Sequence, residues 1–207
     1  MLFFTKYVAA GNDFIVCETL SPEIMQIEHL CDRRSGIGAD GLIWIEGDFV
    51  HFFNNDGSKA AGCGNGLRVA AMHTQKNHLK TVLGEHQVEF TLGGCRVTYP
   101  DPREFHKVIE VDNPAEIFHA PQEVNVNYVK VVEADRVVMK TIERGVGETP
   151  SCGTGAISTL LTLLEMKKVH SKICAEFVSG QMLFVEKKID TIWLEGPVLR
   201  TFSGCFG

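Results

Sequence analysis

Two hexapeptides hold the most reactive side chains in this sequence: Cys-Gly-Asn-Gly-Leu-Arg at 63–68 and Cys-Gly-Thr-Gly-Ala-Ile at 152–157. Each begins with a cysteine, sets glycine at the second and fourth places, and opens an apolar run with helical spacing. A polar, acidic loop precedes each, ending the stretches Asn54-Asn55-Asp56-Gly57 and Glu143-Arg144 to Glu148. One Cys-Gly-x-Gly is a weak signal, because glycine loops ahead of helices are common. Two copies, both led by cysteine, are far less common by chance.

A helix N-terminus presents unpaired backbone N–H groups and the positive end of the helix dipole. A thiol there is expected to ionise below its ordinary ~8.5, and the amides suit a carboxylate. The glycines let backbone approach a ligand. If the two helix ends face each other across a cleft, one carboxylate is held between two sulfurs. Such a site fits removal of the proton beside a carboxylate on one face and its return on the other, with one thiolate as base and the opposite thiol as acid. The dipole ends would stabilise the developing carbanion. A redox pair or a plain anion site uses the same residues, and residue types alone leave these open.

Neighbouring polar residues have plainer readings. Asp56 and Glu148 are loop acids, at least one of which is expected to cap its helix. Arg68, one turn into a helix, reads as a solvated or ion-paired side chain. Asn12 falls in the turn triplet Gly11-Asn12-Asp13, and Glu143-Arg144 reads as a surface pair at a strand end. Seven cysteines, at 17, 31, 63, 95, 152, 174 and 205, are an odd number with no C-x₂₋₄-C spacing. That argues against a disulfide framework and a zinc half-site. Cys17, Cys31, Cys95, Cys174 and Cys205 read as small buried hydrophobes.

The elements that must position the two cysteines repeat. Residues 2–20 read as strand, turn, strand. Residues 21–36 read as a helix capped by Ser21, with Pro22 in its first turn and Gly36 ending it. Two strands over a Gly47-Asp48 turn then lead to the first cysteine helix, and strands follow. After Pro100 and Pro102 the plan recurs: a strand at 105–112, a hairpin about Ala134-Asp135, the second cysteine helix, and more strands. A duplication explains this order. The expected fold is α/β (α+β), with two pseudo-symmetric halves, each a strand-wrapped central helix. The halves are 1–101 and 102–197, with the last strand, 198–207, returning to the first.

Composition narrows the partners. The chain has 207 residues, 44% hydrophobic and 22% charged, with a net charge of −6. No apolar run reaches the ~20 residues of a membrane span, and no basic run points to nucleic acid. The N-terminus lacks a leader pattern, so a cytoplasmic location and a small-molecule substrate are expected.

Five stretches resemble, in order, the diaminopimelate epimerase family of pyridoxal-phosphate-independent two-cysteine enzymes: GNDF (11–14), GIGADGL (36–42), FNNDGSKAAGCGNGLR (53–68), NVNYV (125–129) and ERGVGETPSCGTGA (143–156). The resemblance spans nearly the whole chain. It implies that Cys63 and Cys152 are the acid/base pair, and that Asn12, Asn54, Asn125, Glu143 and Arg144 contact substrate. Gly64, Asn65, Gly153 and Thr154 would supply the amides that hold the α-carboxylate. Arg144 would pair with a distal carboxylate, and Glu143 with an amine or a cysteine's proton. No cofactor and no metal are implied, and a homodimer is compatible with the family.

The chain departs from the pattern between about Gly94 and Asn125, where it is shorter. His106 in REFHKVIEV aligns with the family histidine, but Glu104-Phe105 stands where the family has Asn-Pro. The competing alignment uses Asn113-Pro114, which no histidine follows. Three functions therefore stay open: diaminopimelate epimerisation for lysine and peptidoglycan precursors, racemisation of another amino acid with relaxed specificity, and a non-catalytic or redox paralogue.

Overall fold

Alternating apolar residues and a two-residue turn fold the N-terminus into the hairpin Leu2–Ala9 (β1) and Asn12–Cys17 (β2). Ala10 and Gly11 both have positive φ, 47° and 89°, the backbone that matches strand twist in a tight hairpin. Asn12 is therefore the first strand residue, paired with Ala9, and not part of the turn. The computed structural model describes residues 1–18, 24–118, 123–144 and 146–206. It divides into two compact units, Met1–Val97 with Pro197–Gly207, and Thr98–Gly196.

In the first unit the helix Ile24–Cys31 (α1) stops earlier than its sequence suggests. Asp32 Oδ1 accepts from the amides of Arg34 and Ser35 at 2.9 and 2.6 Å, and this side-chain turn competes with further helix. Gly36 still closes the segment, since a Cβ there would lie 1.9 Å from the His29 carbonyl oxygen. Ser21 and Pro22 lie outside the described residues. The strands Gly41–Glu46 (β3) and Phe49–Asn54 (β4) form a hairpin, and Lys59–Ala60 (β5) pairs with β4. The helix Gly64–Thr74 (α2) then crosses to His78–Thr81 (β6), parallel to β4. Gly84–Thr91 (β7) and Gly94–Thr98 (β8) follow. The C-terminal strand Leu199–Phe206 pairs antiparallel with β1. α2 lies against β1 to β4, and Leu67, Val69, Ala70 and Ala71 are completely buried there.

The second unit runs the same scheme. His106–Glu110 (β9) pairs parallel with Asn125–Glu133 (β10). β10 forms a hairpin with Arg136–Glu143 (β11), and the short Gly147–Thr149 (β12) pairs back onto β11. The helix Gly153–Glu165 (α3) crosses to Lys172–Phe177 (β13), parallel to β11, before Met182–Lys187 (β14) and Ile192–Pro197 (β15). α3 packs on β9, β10, β13 and β14, with Ile157, Leu160 and Leu163 fully buried. A hairpin, a polar loop and a crossover helix between parallel strands thus recur in each unit. The fold class is α+β. No helix among the described residues is long and apolar enough to cross a membrane.

Candidate functional site

Cys63 and Cys152 occupy the same local position in their own units. Each is the N-cap of its helix in extended backbone (φ −147° and −134°), and each sulfur accepts the amide of the glycine three residues on, at 3.3 Å. The cysteines themselves take the capping position, so neither loop acid does. Asp56 instead binds its neighbour Ser58, accepting from amide and hydroxyl, and Glu148 pairs with Lys140 at 2.9 Å. Gly64 and Asn65 begin α2, and Gly153 and Thr154 begin α3. Their amides are among those that a helix does not use internally. The second glycine of each motif answers to packing rather than to ligand approach. A Cβ on Gly66 would stand 2.9 Å from the Phe52 ring, and one on Gly155 would stand 2.4 Å from Asn127 Oδ1.

In the first unit, Asn65 Nδ2 donates to Asn12 Oδ1 at 2.6 Å, and Arg68 donates to Asn65 Oδ1 at 2.9 Å. Arg68 is fully buried, not solvated as its place one turn into the helix suggested, because α2 turns that face onto the core. Asn54 ends β4 and bonds Ser58 Oγ at 2.9 Å within its own turn. Asn12 also donates to Asp40 at 3.3 Å. Asp40 and Asp13 exchange backbone amides, each carboxylate accepting the other's N–H at 3.0 to 3.1 Å. Lys6 and Arg33 both ion-pair with Asp13. Burial pushes the Asp13 carboxyl up, but bonds from Arg33 and Lys6 outweigh it and hold it well below the carboxylate range. This four-residue cluster, which fixes Asn12, was not identified from sequence, although Asp13 and Asp40 lie in GNDF and GIGADGL.

The second unit gathers Cys152, Thr154, His106, Asn125, Glu143 and Arg144. His106 Nε2 lies 2.9 Å from Thr154 Oγ1, which lies 3.3 Å from Cys152 Sγ. Asn125 Oδ1 accepts the Arg144 amide at 2.9 Å, and the Arg144 side chain is exposed. Glu143 accepts the Thr149 hydroxyl at 3.0 Å and faces the Cys152 thiol. Cys152 is 7% exposed. Burial drives its thiol well above the ordinary range and the Glu143 charge adds to this, while Thr154 and the Gly155 amide pull the other way. The expectation of a depressed thiol fails at Cys152 because desolvation and the Glu143 charge outweigh these two bonds. His106 is held neutral by burial, its pKa lowered to about 4.

Glu104 and Phe105 sit exposed in a short 3-10 turn just before His106. Asn113 caps another such turn, accepting the Ala115 amide and donating to Glu116. Missed from sequence was Asn127, buried beside His106. Its signal was the i, i+2 spacing from Asn125, which sets both on one strand face. Of the other cysteines, Cys17, Cys31 and Cys95 are buried, with Cys17 and Cys31 pushed by burial to about 12 and 11. Cys174 is only half-buried and Cys205 is exposed, because each alternates with the more buried residues of its strand. Among the described residues no group of three or more His, Cys, Asp or Glu could hold a metal.

The family model for diaminopimelate epimerase matches residues 4–112. A diaminopimelate epimerase from Campylobacter jejuni subsp. jejuni serotype O:23/36 is 32% identical, the match covering 97% of each chain. Its alignment runs to 241 positions, so the relative carries residues this chain lacks. Among solved structures, a PhzC/PhzF phenazine biosynthesis protein from Clostridium difficile superposes with TM-score 0.77 over 100% of both chains at 11% identity. A crystal structure named as a proline racemase from Agrobacterium radiobacter K84 gives 0.71, covering 100% of this chain and 93% of the other, also at 11% identity. These two likenesses concern the fold.

Proposed function

Since the chain belongs to the diaminopimelate epimerase family, we propose that it interconverts the LL and meso forms of 2,6-diaminopimelate with Cys63 and Cys152 as its two acid/base groups. The observation that carries this reading is the identical capping geometry of the two thiols, each at 3.3 Å from its own Gly amide. One thiolate takes the α proton, and the electron pair left on carbon is shared with the α-carboxylate. The opposite thiol then returns a proton to the other face. The amides of Gly64, Asn65, Gly153 and Thr154 hold that carboxylate, where negative charge develops.

Burial pushes the Cys152 thiol up, which supports Cys152 as the acid in the resting site, with Cys63 in the role of base. Glu143 accepts the thiol's hydrogen bond and receives help from Thr149. Arg144, exposed at the strand end, reaches for the distal carboxylate. No step calls on a cofactor. The free thiols and the substrate class support a cytoplasmic location.

Racemisation of another amino acid is the second reading, favoured by the exposed Glu104-Phe105 turn ahead of His106. It removes an amide that could hold a distal zwitterion. Incubation in D₂O with diaminopimelate, glutamate, aspartate, lysine and histidine tests both. Substrate-dependent α-deuteration supports an epimerase, and none with any of them sinks the proposal. A kcat/KM ratio for diaminopimelate over the best monoamino acid above roughly 10⁴ means a complete pocket. A much smaller ratio selects the second reading.

A further inference from the structure

Asn127, the second asparagine of Asn-Val-Asn-Tyr-Val, is completely buried on β10. Its Nδ2 lies 3.2 Å from His106 Nδ1, and its Oδ1 accepts the Thr141 hydroxyl at 2.9 Å. The same oxygen lies against the Cα of Gly155, 2.4 Å from where a Cβ would stand. A Cα–H favours an oxygen neighbour over an amide NH₂. Thr141 and Gly155 therefore orient the amide alike, leaving only its NH₂ for the histidine.

An amide NH₂ has hydrogens to give and nothing to accept with. His106 Nδ1 is then the acceptor, and the single proton of the neutral ring sits on Nε2. Nε2–H points at Thr154 Oγ1, 2.9 Å away. The Asn125 amide nitrogen, at 3.5 Å, is at the limit of hydrogen bonding. With a lone pair of its oxygen engaged by Nε2–H, Thr154 turns its own hydrogen toward Cys152 Sγ.

We propose that Asn127 is a positioning residue that sets the direction of a donor chain, from Asn127 through His106 and Thr154 to the Cys152 sulfur. The chain delivers a hydrogen bond to the sulfur each time it becomes a thiolate, and so offsets part of the cost of a buried anion. The inference rests on Cys152 acting as an acid/base group. Among the described residues the titratable group facing Cys152 is Glu143 from β11, α3 itself adds the Thr154 hydroxyl and the Gly155 amide, and His106 from β9 reaches the sulfur through Thr154. Glu143 can only accept, so it favours the thiol, and the Asn127 chain favours the thiolate.

Asn127→Asp tests the direction. A carboxylate only accepts, so it pulls the ring proton to Nδ1. Nε2 then accepts, and the Thr154 hydrogen turns away from sulfur. Nitrogen-15 NMR of His106 in the full chain should show the neutral Nε2–H form at pH 7 in the unsubstituted protein, and protonated Nδ1 in Asn127→Asp. Iodoacetamide labelling of Cys152, resolved by peptide mass spectrometry across pH, should shift upward by about one pH unit in the variant, roughly tenfold slower at neutral pH. Thr154→Val should give the same shift and leave the His106 proton on Nε2. A proton on Nδ1 in the unsubstituted protein overturns the proposal even if no variant folds. So does an unchanged labelling midpoint in a folded Asn127→Asp. Neither readout uses turnover, so absence of α-deuteration would defeat the epimerase reading separately.

Discussion

Asn12, the first residue of β2, and Asn65, the second of α2, are joined side chain to side chain at 2.6 Å. The bond ties the strand carrying one expected substrate ligand to the helix turn that begins after Cys63. Asn65 is almost fully buried, so water does not readily replace the lost bond. Asn12→Ala should therefore cost about 1–2 kcal/mol of unfolding free energy, measured by urea titration. It should also lower kcat/KM by more than that loss of folded protein explains. Wild-type stability in the variant would mean the contact contributes nothing.

Cys63→Ala and Cys152→Ala should each abolish epimerisation while keeping the far-UV circular dichroism spectrum. Cys→Ser at either position should retain slow α-hydrogen exchange at one face, because only one partner is lost. Near wild-type turnover in either alanine variant would falsify the two-thiol scheme. Formation of a Cys63–Cys152 disulfide under mild oxidant tests whether the sulfurs approach each other, since bridging needs Cα atoms within about 7 Å.

Acid stability should depend on Asp13. Its carboxyl is held below the ordinary range by Arg33 and Lys6 against the opposing effect of burial. A depressed folded pKa contributes stability above the unfolded value near 3.9, and that contribution is lost as pH falls below it. Asp13→Asn should cost about 2–3 kcal/mol at pH 7, since it leaves Lys6 buried without its counter-charge. It should also flatten the fall in stability below pH 4. Equal acid sensitivity in both proteins would count against the cluster.

His106 should add a second pH dependence at milder acidity. Burial lowers its pKa to about 4, against about 6.5 in the unfolded chain. The neutral ring stabilises the fold fully above pH 6.5, and this is lost as pH drops toward 4. The loss approaches about 3 kcal/mol. His106→Gln should be less stable at pH 7 but change little between pH 7 and 4.5. Thermal unfolding at several pH values would expose the error if both proteins shift together.

Dialysis against a chelator should leave epimerase activity intact, because acid, base and carboxylate-holding groups are all supplied by the chain. Activity lost to chelator and restored by a divalent metal would refute this. Thiol alkylation should inactivate instead, in step with modification of Cys63.

Much of what near neighbours in the chain set was legible before the structure, although the turn at Ala10-Gly11 and the Asp32 side-chain turn that ends α1 were not. The Gly47-Asp48 hairpin, the two cysteine-led helices and the repeated hairpin–loop–helix order follow from periodicity and turn chemistry over a dozen residues or so. The cysteines' position at helix starts belongs here too, as does the order of motifs that aligned the chain with its family.

Tertiary structure decided what depends on partners distant in sequence. Arg68 is buried because α2 turns it into the core, which helical spacing alone did not reveal. The Cys152 thiol is pushed up because the packing of α3 against β9 and β10 strips its solvation and the Glu143 charge adds to this, which outweighs the bonds from Thr154 and the Gly155 amide. Asn127 meets His106 only because β9 and β10 pair in parallel, in the register that sets His106 beside Asn125. Propensity acts within a few residues, whereas desolvation and strand register depend on which surfaces the folded chain brings into contact. The candidate reactive groups could therefore be named from sequence, whereas their solvation and orientation could not.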